Sequence, residues 1–201
     1  MDNSLKKIIV VLATAIVLTL MYFGAYLPSK KSQLYIKAIL AFQTGKIKSL
    51  QDFDAAFGAA LNFYSHVGQD ELVSYYFGNL ANVVNQQNNE EIIKALAEQA
   101  ENLMKPIIKA GKGFGYSQNL YNFAVFYKIV ALKLNSDVYL QKSIDLFKEG
   151  LKNSPNRYIF LEGLFDVYRI KGDKAGMKEI GEIILKYWPE KEAIRQALSA
   201  F

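Results

Sequence analysis

The sequence predicts an all-α protein in which one N-terminal transmembrane helix is followed by a stack of paired helices. Three observations support this fold class. Residues 8–27 form a run of 20 residues without a charged side chain. Nearly all of the remaining chain spaces its apolar residues by three and four positions, as one face of a helix requires. No segment alternates apolar and polar residues as a half-buried strand would.

The uncharged run has the length and the flanks of a membrane span. As a helix it measures about 30 Å, the thickness of the hydrocarbon core of a bilayer. Tyr22, Phe23 and Tyr26 resemble an interfacial aromatic belt. Pro28 is expected to end the helix as it leaves the bilayer, and a new helix is expected over residues 34–44.

A cleaved signal peptide is the alternative to a retained anchor. The apolar part of such a signal spans about 7–15 residues and ends in an Ala-x-Ala-like site. Here the run is longer. Cleavage after Ala25 would also need a small residue at position 23, and Phe23 stands there. The sequence therefore favours a retained anchor over residues 1–31, with the span at about residues 8–27.

Positive charge is concentrated beside the apolar run. Residues 1–48 hold seven lysines and one acidic residue, whereas residues 49–201 hold 17 basic and 18 acidic residues. Nucleic-acid binding needs a basic stripe on the folded domain, so a nearly neutral domain argues against a nucleic-acid partner. Lysines near a membrane surface attract anionic headgroups. The lysines expected at this surface are Lys6, Lys7, Lys30, Lys31 and Lys37.

Two features give opposite answers about the side of the membrane on which the helical domain lies. Five lysines follow the run and two precede it, which places the C-terminal side in the cytoplasm. A short tail carrying Lys6 and Lys7 is instead typical of a signal-anchor that exports the rest of the chain, and long domains cross largely regardless of charge. We expect a single-pass protein of the cell membrane with an extracytoplasmic helical domain, and a cytoplasmic domain is the alternative.

Residues 32–201 are predicted to form one helical domain. Short turns rich in glycine, asparagine or proline separate helices of similar length, which indicates antiparallel neighbours. The glycine-rich stretch 111–115 completes neither a Walker spacing nor a dinucleotide fingerprint, so it is interpreted as a joint between two helical halves. Helices are expected over residues 50–65, 69–86 and 90–110, then over the periodic segments 120–134, 140–151, 161–168 and 177–188, with a capping helix at 191–201 whose Ile194 and Leu198 face inward and whose Arg195 faces outward.

The last third of the chain contains a repeat. Pro155 and Pro189 lie 34 residues apart and each follows an amphipathic helix, and a 34-residue period of two helices is typical of tetratricopeptide repeats. Residues 119–189 resemble two degenerate units of that family, which implies a right-handed α-solenoid. The matching positions are Ser143, Phe147 and Gly150 in the second helix of one unit, and Leu161, Leu164, Phe165 and Tyr168 in the first helix of the next. Gly181 departs from the pattern, because an aromatic residue is usual there.

The resemblance also implies a binding surface. In tetratricopeptide arrays the first helices line a concave groove that binds peptides or protein segments, and an ordinary solvated face is the alternative. Lys128 matches one element of the clamp that some members use for a C-terminal carboxylate, whereas Leu132 stands where that clamp has asparagine. The groove residues carried onto this chain are Val125, Lys128, Leu132 and Asn135 from one unit, and Ile159, Glu162, Asp166 and Arg169 from the next.

A second resemblance covers the chain from the apolar run to residue 71. It rests on Leu27-Pro28-Ser29, on Phe53, Phe57, Ala60 and Leu61, and on the segment 64–71. Together these are similar to the helical tail after the last membrane span of some bacterial O-antigen ligase/polymerase-like proteins. Those proteins move or polymerise lipid-linked glycans at the membrane. This chain has one apolar run rather than many, so the resemblance implies an accessory or scaffold role rather than transferase activity.

Residues that could carry catalysis are few. The chain has one histidine, His66, and no cysteine, so a metal site or a His-dependent nucleophile lacks partners, and no metal or cofactor is expected. Paired acids could act as general acid and base, but dipole complementarity at a helix start explains each pair as well. The pairs are Asp52 and Asp54, Asp70 and Glu71, and Glu90 and Glu91.

The sequence therefore predicts a membrane-anchored scaffold that binds a protein or peptide, and not an enzyme. Anchoring would raise the local concentration of whatever the groove holds. The alternative function is a membrane-bound hydrolase or transferase that uses acidic residues of the helical domain. A purely structural oligomer is a third possibility, because the ends of a solenoid expose apolar surface unless they are capped.

Overall fold

The computed structural model describes residues 3–47, 49–112 and 115–200. The described chain is 84% helical and contains no strand, which confirms the all-α prediction. Two compact units are present, one up to Val73 and one from Ser74 onward. The helices are α1 Asn3–Met21, α2 Leu27–Gln43, α3 Leu50–Leu61, α4 Gln69–Gln86, α5 Glu90–Ala110, α6 Tyr116–Leu134, α7 Asp137–Asn153, α8 Tyr158–Lys171, α9 Lys174–Tyr187 and α10 Glu192–Ser199, with a π-helical turn at Tyr22–Tyr26.

The N-terminal helix is long and apolar enough to cross a membrane. Helix α1, the π-helical turn and α2 form one continuous helix of 41 residues from Asn3 to Gln43. Its most apolar window of 18 residues has a mean hydropathy of 2.5, and none of that window is buried inside the protein. The hydroxyls of Thr14 and Thr19 donate to the Val10 and Ala15 carbonyls at 2.9 and 2.8 Å, so these two polar groups are satisfied within the helix.

The prediction that Pro28 ends this helix is wrong. The proline lies in the first turn of α2, directly after the π-helical turn. In that turn the Leu27 N–H donates to the Tyr22 carbonyl, five residues back instead of four. A proline inside an α-helix lacks a donor and crowds the carbonyl four residues before it, and a wider turn just upstream relieves this conflict. The helix therefore continues to Gln43, and Gly45 follows with a φ of +67°.

In the first unit, α2 and α3 pack as an antiparallel hairpin. The rings of Phe42 and Phe53 have centroids 6.0 Å apart, and those of Tyr35 and Phe57 are 6.2 Å apart. The start of α3 is fixed by a capping box, in which Ser49 accepts from the Asp52 N–H at 3.1 Å. The sequence thus places the hairpin turn correctly between residues 44 and 49.

Helix α3 ends four residues earlier than the sequence predicted, at Leu61 instead of Ser65. The groups that would continue the helix have other partners. The Phe63 carbonyl accepts from the Lys31 ammonium at 2.8 Å, and the Val67 N–H donates to the Ser65 hydroxyl at 3.3 Å. Residues 62–68 therefore form a loop between α3 and α4, which we call the α3–α4 loop.

In the second unit, consecutive helices from α5 to α10 pack against one another, and α6 also contacts α8. Helix α4 contributes Phe77, whose ring lies 5.1 Å from Phe123 and 5.9 Å from Phe126. Two short turns need left-handed backbone, at Asn135 (φ 47°) and Gly172 (φ +73°). These short connections between packed neighbours are the ones that the sequence predicted.

Small residues allow close approach of α7 and α8. A Cβ atom on Gly150 would overlap the ring of Phe160, and one on Gly163 would overlap the ring of Phe147. Both rings are completely buried. Each phenylalanine thus fills the space that a glycine on the facing helix leaves open.

Helix α10 covers the end of this unit. Ile194 is 8% exposed, and the Leu198 side chain lies over Gly181, where a Cβ atom would approach within 2.8 Å. Arg195 is exposed, so the three orientations predicted for this helix are confirmed; Phe201 lies outside the described residues. The same contact accounts for the glycine at position 181, since a ring at this position would occupy the place of Leu198.

We expect Gly150→Ala to lower the free energy of unfolding by about 1–3 kcal/mol, because the methyl group must displace the buried Phe160 ring. Gly78→Ala is the control, since Gly78 is exposed in α4 with open space around its Cβ position. It should be neutral or gain up to about 1 kcal/mol from helix propensity. Thermal unfolding of both full-length variants in detergent micelles, monitored by the circular dichroism of the helices, compares their stabilities. Equal midpoints for both variants would contradict the close packing of α7 on α8.

Candidate functional site

Five of the residues predicted for the groove line one cavity of about 510 Å³ in the second unit. Val125 and Lys128 come from α6, and Glu162, Asp166 and Arg169 come from α8. The spacing of three and four residues within each helix places these side chains on one face. The contact between α6 and α8 then brings the two faces together.

The other three predicted groove residues lie elsewhere. Leu132 is 57% exposed and is not part of the cavity wall. Asn135 is the exposed C-cap of α6, and Ile159 lies half-buried in the first turn of α8. The predicted residues that line the cavity are thus restricted to the middle of α6 and to positions 162–169 of α8.

Sequence reasoning missed the third wall of the cavity, which is α10. Ala193, Ile194 and Ala197 of this helix line it, together with Tyr121 and Phe165. The sequence did carry a partial signal, because α10 was expected to cap the array with Ile194 inward. What it did not indicate is that the capping helix also borders the groove.

A charge triad lies in the wall of the cavity. The Lys128 Nζ donates to Asp166 Oδ2 at 2.7 Å, and the Arg169 Nη2 donates to Asp166 Oδ1 at 2.5 Å. Burial alone would raise the pKa of Asp166, but the hydrogen bonds and positive charges of Lys128 and Arg169 outweigh it and hold this pKa below its usual value. Asp166 is therefore ionised at neutral pH and positions both cations.

Glu162 adds a second carboxylate to the wall, so two cationic and two anionic side chains line the cavity. The Tyr158 hydroxyl donates to Glu162 at 2.8 Å, and the Lys191 ammonium lies 4.4 Å from the centre of the Tyr158 ring. The pKa of Tyr158 is raised, by burial first and then by its bond to Glu162. The charges of the wall balance, so the cavity favours neither acidic nor basic ligands by net charge alone.

A second cavity of about 320 Å³ lies beside α5, α6 and α7. In its wall Glu101 accepts a hydrogen bond from the Tyr127 hydroxyl at 2.6 Å and pairs with Lys142. Burial opposes ionisation of Glu101, but the bonds from Lys142 and Tyr127 outweigh it and lower its pKa. Burial, together with the bond to Glu101, raises the pKa of Tyr127. All three groups satisfy one another, which indicates a structural network between helices; the sequence did not predict it.

The lysines expected at the membrane surface divide into two groups. Lys6, Lys7 and Lys37 are exposed, and Lys30 is half-buried. Lys31 is only 3% exposed, and its ammonium donates to the Phe63 carbonyl and to the Gln69 side chain. Burial lowers the pKa of Lys31. The prediction that Lys31 meets lipid headgroups is therefore wrong, because its ammonium ties α2 to the α3–α4 loop.

The acidic pairs offered for the enzymatic alternative lie near helix starts. Asp52 is the N3 partner of the Ser49 capping box, with Asp54 one half-turn further along α3. Asp70 and Glu71 occupy the first turn of α4, and Glu90 and Glu91 that of α5, where the helix dipole favours negative charge.

The single histidine and the glycine-rich joint are the remaining sequence candidates. His66 is exposed in the α3–α4 loop, and its ring nitrogens lie 3.1 and 3.2 Å from the Tyr64 hydroxyl oxygen. Gly111 ends α5 with a φ of +64° and Lys112 is exposed, whereas positions 113 and 114 of the predicted joint lie outside the described residues. Within the described ranges, no three His, Cys, Asp or Glu side chains group as metal ligands.

Comparison with known proteins gives no match: the chain resembles no protein family, no curated protein and no solved structure closely enough to be assigned to it. The case for function therefore rests on the geometry of the chain itself.

We expect Lys31→Met to lower the free energy of unfolding by about 1–3 kcal/mol, because the Phe63 carbonyl would lose its charged donor while the apolar stem stays packed. Lys37→Met in the same helix is the matched control, since Lys37 is exposed and should change stability by less than about 0.5 kcal/mol. Thermal unfolding in detergent micelles measures both. A larger loss at Lys37 would contradict the assignment of Lys31.

The triad predicts a pH-dependent contribution to stability. Because the pKa of Asp166 is lower in the folded protein than its ordinary 3.8, its contribution is complete above that value and declines as the pH falls further. Asp166→Asn should therefore cost about 1 kcal/mol at neutral pH, and the difference from wild type should shrink at acid pH. The free energy of unfolding, measured from neutral to acid pH, checks this prediction. Glu179→Gln is the control, because Glu179 is exposed. A difference that stays constant with pH would count against the ion pairs.

Proposed function

We propose that this protein is a membrane-anchored scaffold that binds a peptide segment of a partner protein in the groove bordered by α6, α8 and α10. The observation that carries the proposal is the cavity of about 510 Å³ into which five independently predicted groove residues project. An open pocket of this size, lined by apolar surface and a few polar groups, is typical of ligand-binding sites.

The architecture proposed for the second unit is a short α-solenoid of tetratricopeptide-like pairs. The contact of α6 with α8, two helices further along the chain, supports it, because first helices of successive pairs are neighbours in such arrays. The small residues of the repeat pattern support it too. Ser143 is buried and donates to the Ala124 carbonyl at 2.7 Å, and Gly150 admits the Phe160 ring.

The lining of the groove favours an extended peptide with an apolar side chain flanked by polar groups. Val125, Phe165 and Ile194 offer apolar surface, while the Arg169 side chain is 60% exposed and can donate to a further carboxylate or carbonyl oxygen. Lys128 is held more closely by Asp166, with 22% of its side chain exposed. A carboxylate clamp would have to use Arg169 first, since Leu132 replaces the asparagine of the family's clamp and lies outside the cavity.

The N-terminal helix adds the anchor. With residues 8–27 in the bilayer, a bound partner is confined to a thin layer above the membrane, which raises its effective concentration there. An extracytoplasmic domain and an accessory role beside an envelope-glycan assembly stay predictions from the sequence.

Peptide selection tests the groove. Full-length protein in lipid nanodiscs is panned against a displayed random-peptide library, and enriched peptides are titrated by fluorescence anisotropy. We expect Lys128→Glu with Arg169→Glu to weaken binding at least about tenfold, equivalent to 1.4 kcal/mol. Lys178→Glu, on an exposed position of α9 outside the cavity, is the charge-reversal control and should bind as wild type does.

Two results would overturn the proposal. One is selection of no peptide above the level of empty nanodiscs. The other is selection of peptides whose affinity the groove variant leaves unchanged while the Lys178→Glu control behaves normally. Circular dichroism of each variant shows whether the helical fold is retained, so that loss of binding can be assigned to the groove.

A further inference from the structure

The α3–α4 loop exposes apolar side chains on a segment with almost no charge. Its sequence is Asn-Phe-Tyr-Ser-His-Val-Gly, which contains no aspartate, glutamate, lysine or arginine. Tyr64 is 62% exposed and Val67 is 58% exposed. These two large exposed side chains lie within four residues of one another, and clustered exposed apolar surface can mark an interaction site.

The α2–α3 hairpin carries this loop back along the N-terminal helix. Contacts run in order from the hairpin turn: Phe42 with Phe53, Tyr35 with Phe57, then Lys31 with the Phe63 carbonyl. The next contact is between the rings of Phe23 and His66, whose centroids lie 5.5 Å apart. The loop thus extends past the N-terminal end of α2 and contacts the apolar run.

Phe23 sets the depth of this contact. It lies four residues before Leu27, the last residue of the run, which corresponds to about 6 Å along a helix. The neighbouring aromatic side chains Tyr22 and Tyr26 are about half exposed and stack on each other at 5.5 Å. If residues 8–27 cross the bilayer, a loop that contacts Phe23 must lie at the level of the interface, where aromatic residues are favoured.

Part of the polar surface of the α3–α4 loop already has hydrogen-bond partners within the protein. Its Phe63 and Val67 N–H groups donate to the Ala60 carbonyl and the Ser65 hydroxyl, and that hydroxyl donates to the Val67 carbonyl at 2.9 Å. Lys31 satisfies the Phe63 carbonyl, and Tyr64 bonds to His66. Each backbone group that is paired in this way costs less to bring into a low-dielectric interface than an unpaired one would.

We propose that the α3–α4 loop is a second membrane contact, which seats Tyr64 and Val67 at the boundary between lipid headgroups and acyl chains. The occupant of this surface is the bilayer itself, because the exposed side chains are continuous with the aromatic end of the span. The inference rests on the membrane anchor of the proposed function but not on the groove. Attachment at two points holds the first unit against the membrane at a fixed angle.

Depth-dependent quenching tests the proposal. Trp188, the only tryptophan, is replaced by phenylalanine, and single tryptophans are introduced into the full-length chain by Val67→Trp or, separately, Tyr64→Trp. The proteins are reconstituted in phosphatidylcholine and phosphatidylglycerol vesicles that contain lipids brominated either near the headgroup or near the chain end. We expect both tryptophans to be quenched by the shallow bromines more than by the deep ones, with blue-shifted emission.

Two matched positions on the same continuous helix bracket the result. Gln43→Trp lies 16 residues beyond Leu27, about 24 Å along the helix, and should emit as in water without quenching. Leu18→Trp lies within the run and should be quenched by the deep bromines. Emission at positions 64 and 67 that matches Gln43→Trp, while Leu18→Trp is quenched, overturns the loop contact alone. Loss of quenching at Leu18→Trp as well overturns the anchor and, with it, the proposed function.

Discussion

The rings of Phe147 and Phe160 and the glycines opposite them hold the central part of the second unit together. Because Gly163 leaves room for Phe147 and Gly150 leaves room for Phe160, α7 and α8 approach more closely than side chains would otherwise permit. Buried rings at such a contact contribute both apolar burial and tight packing. This spacing determines where α8 lies against α6, and the position of the groove walls depends on it.

The C-terminal end of the second unit depends on a similar close fit between a glycine and a larger side chain. Gly181 lets Leu198 seat α10 against α9, and Ile194 completes the contact. A helix that was expected only to shield the end of the stack thereby forms one side of the 510 Å³ cavity. The residues of α10 that cover the end of this unit therefore also line the cavity.

One buried cation joins the long apolar helix to the rest of the first unit. Lys31 lies four residues after the apolar run, yet its ammonium bonds to Phe63 and Gln69 inside the protein. The π-helical turn and the continuation of the helix past Pro28 place Lys31 at this position. A helix that ended at Pro28 would break the register between the span and α3, and the α3–α4 loop would not lie beside Phe23.

The sequence by itself determined the helical class, the approximate positions of the helices and the apolar run, because these depend on local periodicity, capping and residue type. Helices α4 and α5 match their predicted limits to the residue, since acidic first turns, Gly68, Asn89 and Gly111 mark those ends locally. The choice of Val125, Lys128, Glu162, Asp166 and Arg169 came from the tetratricopeptide resemblance, and local spacing placed only the last three on one helix face.

Only the tertiary structure decided the passage through Pro28, the burial of Lys31, the early end of α3 and the third wall of the groove. Each depends on a contact between residues far apart in the chain, such as Lys31 with Phe63 or Gly181 with Leu198. Periodicity predicts which face of a helix is buried. It does not predict which residue of another helix packs against that face, because packing volume and hydrogen bonding in the folded protein decide this.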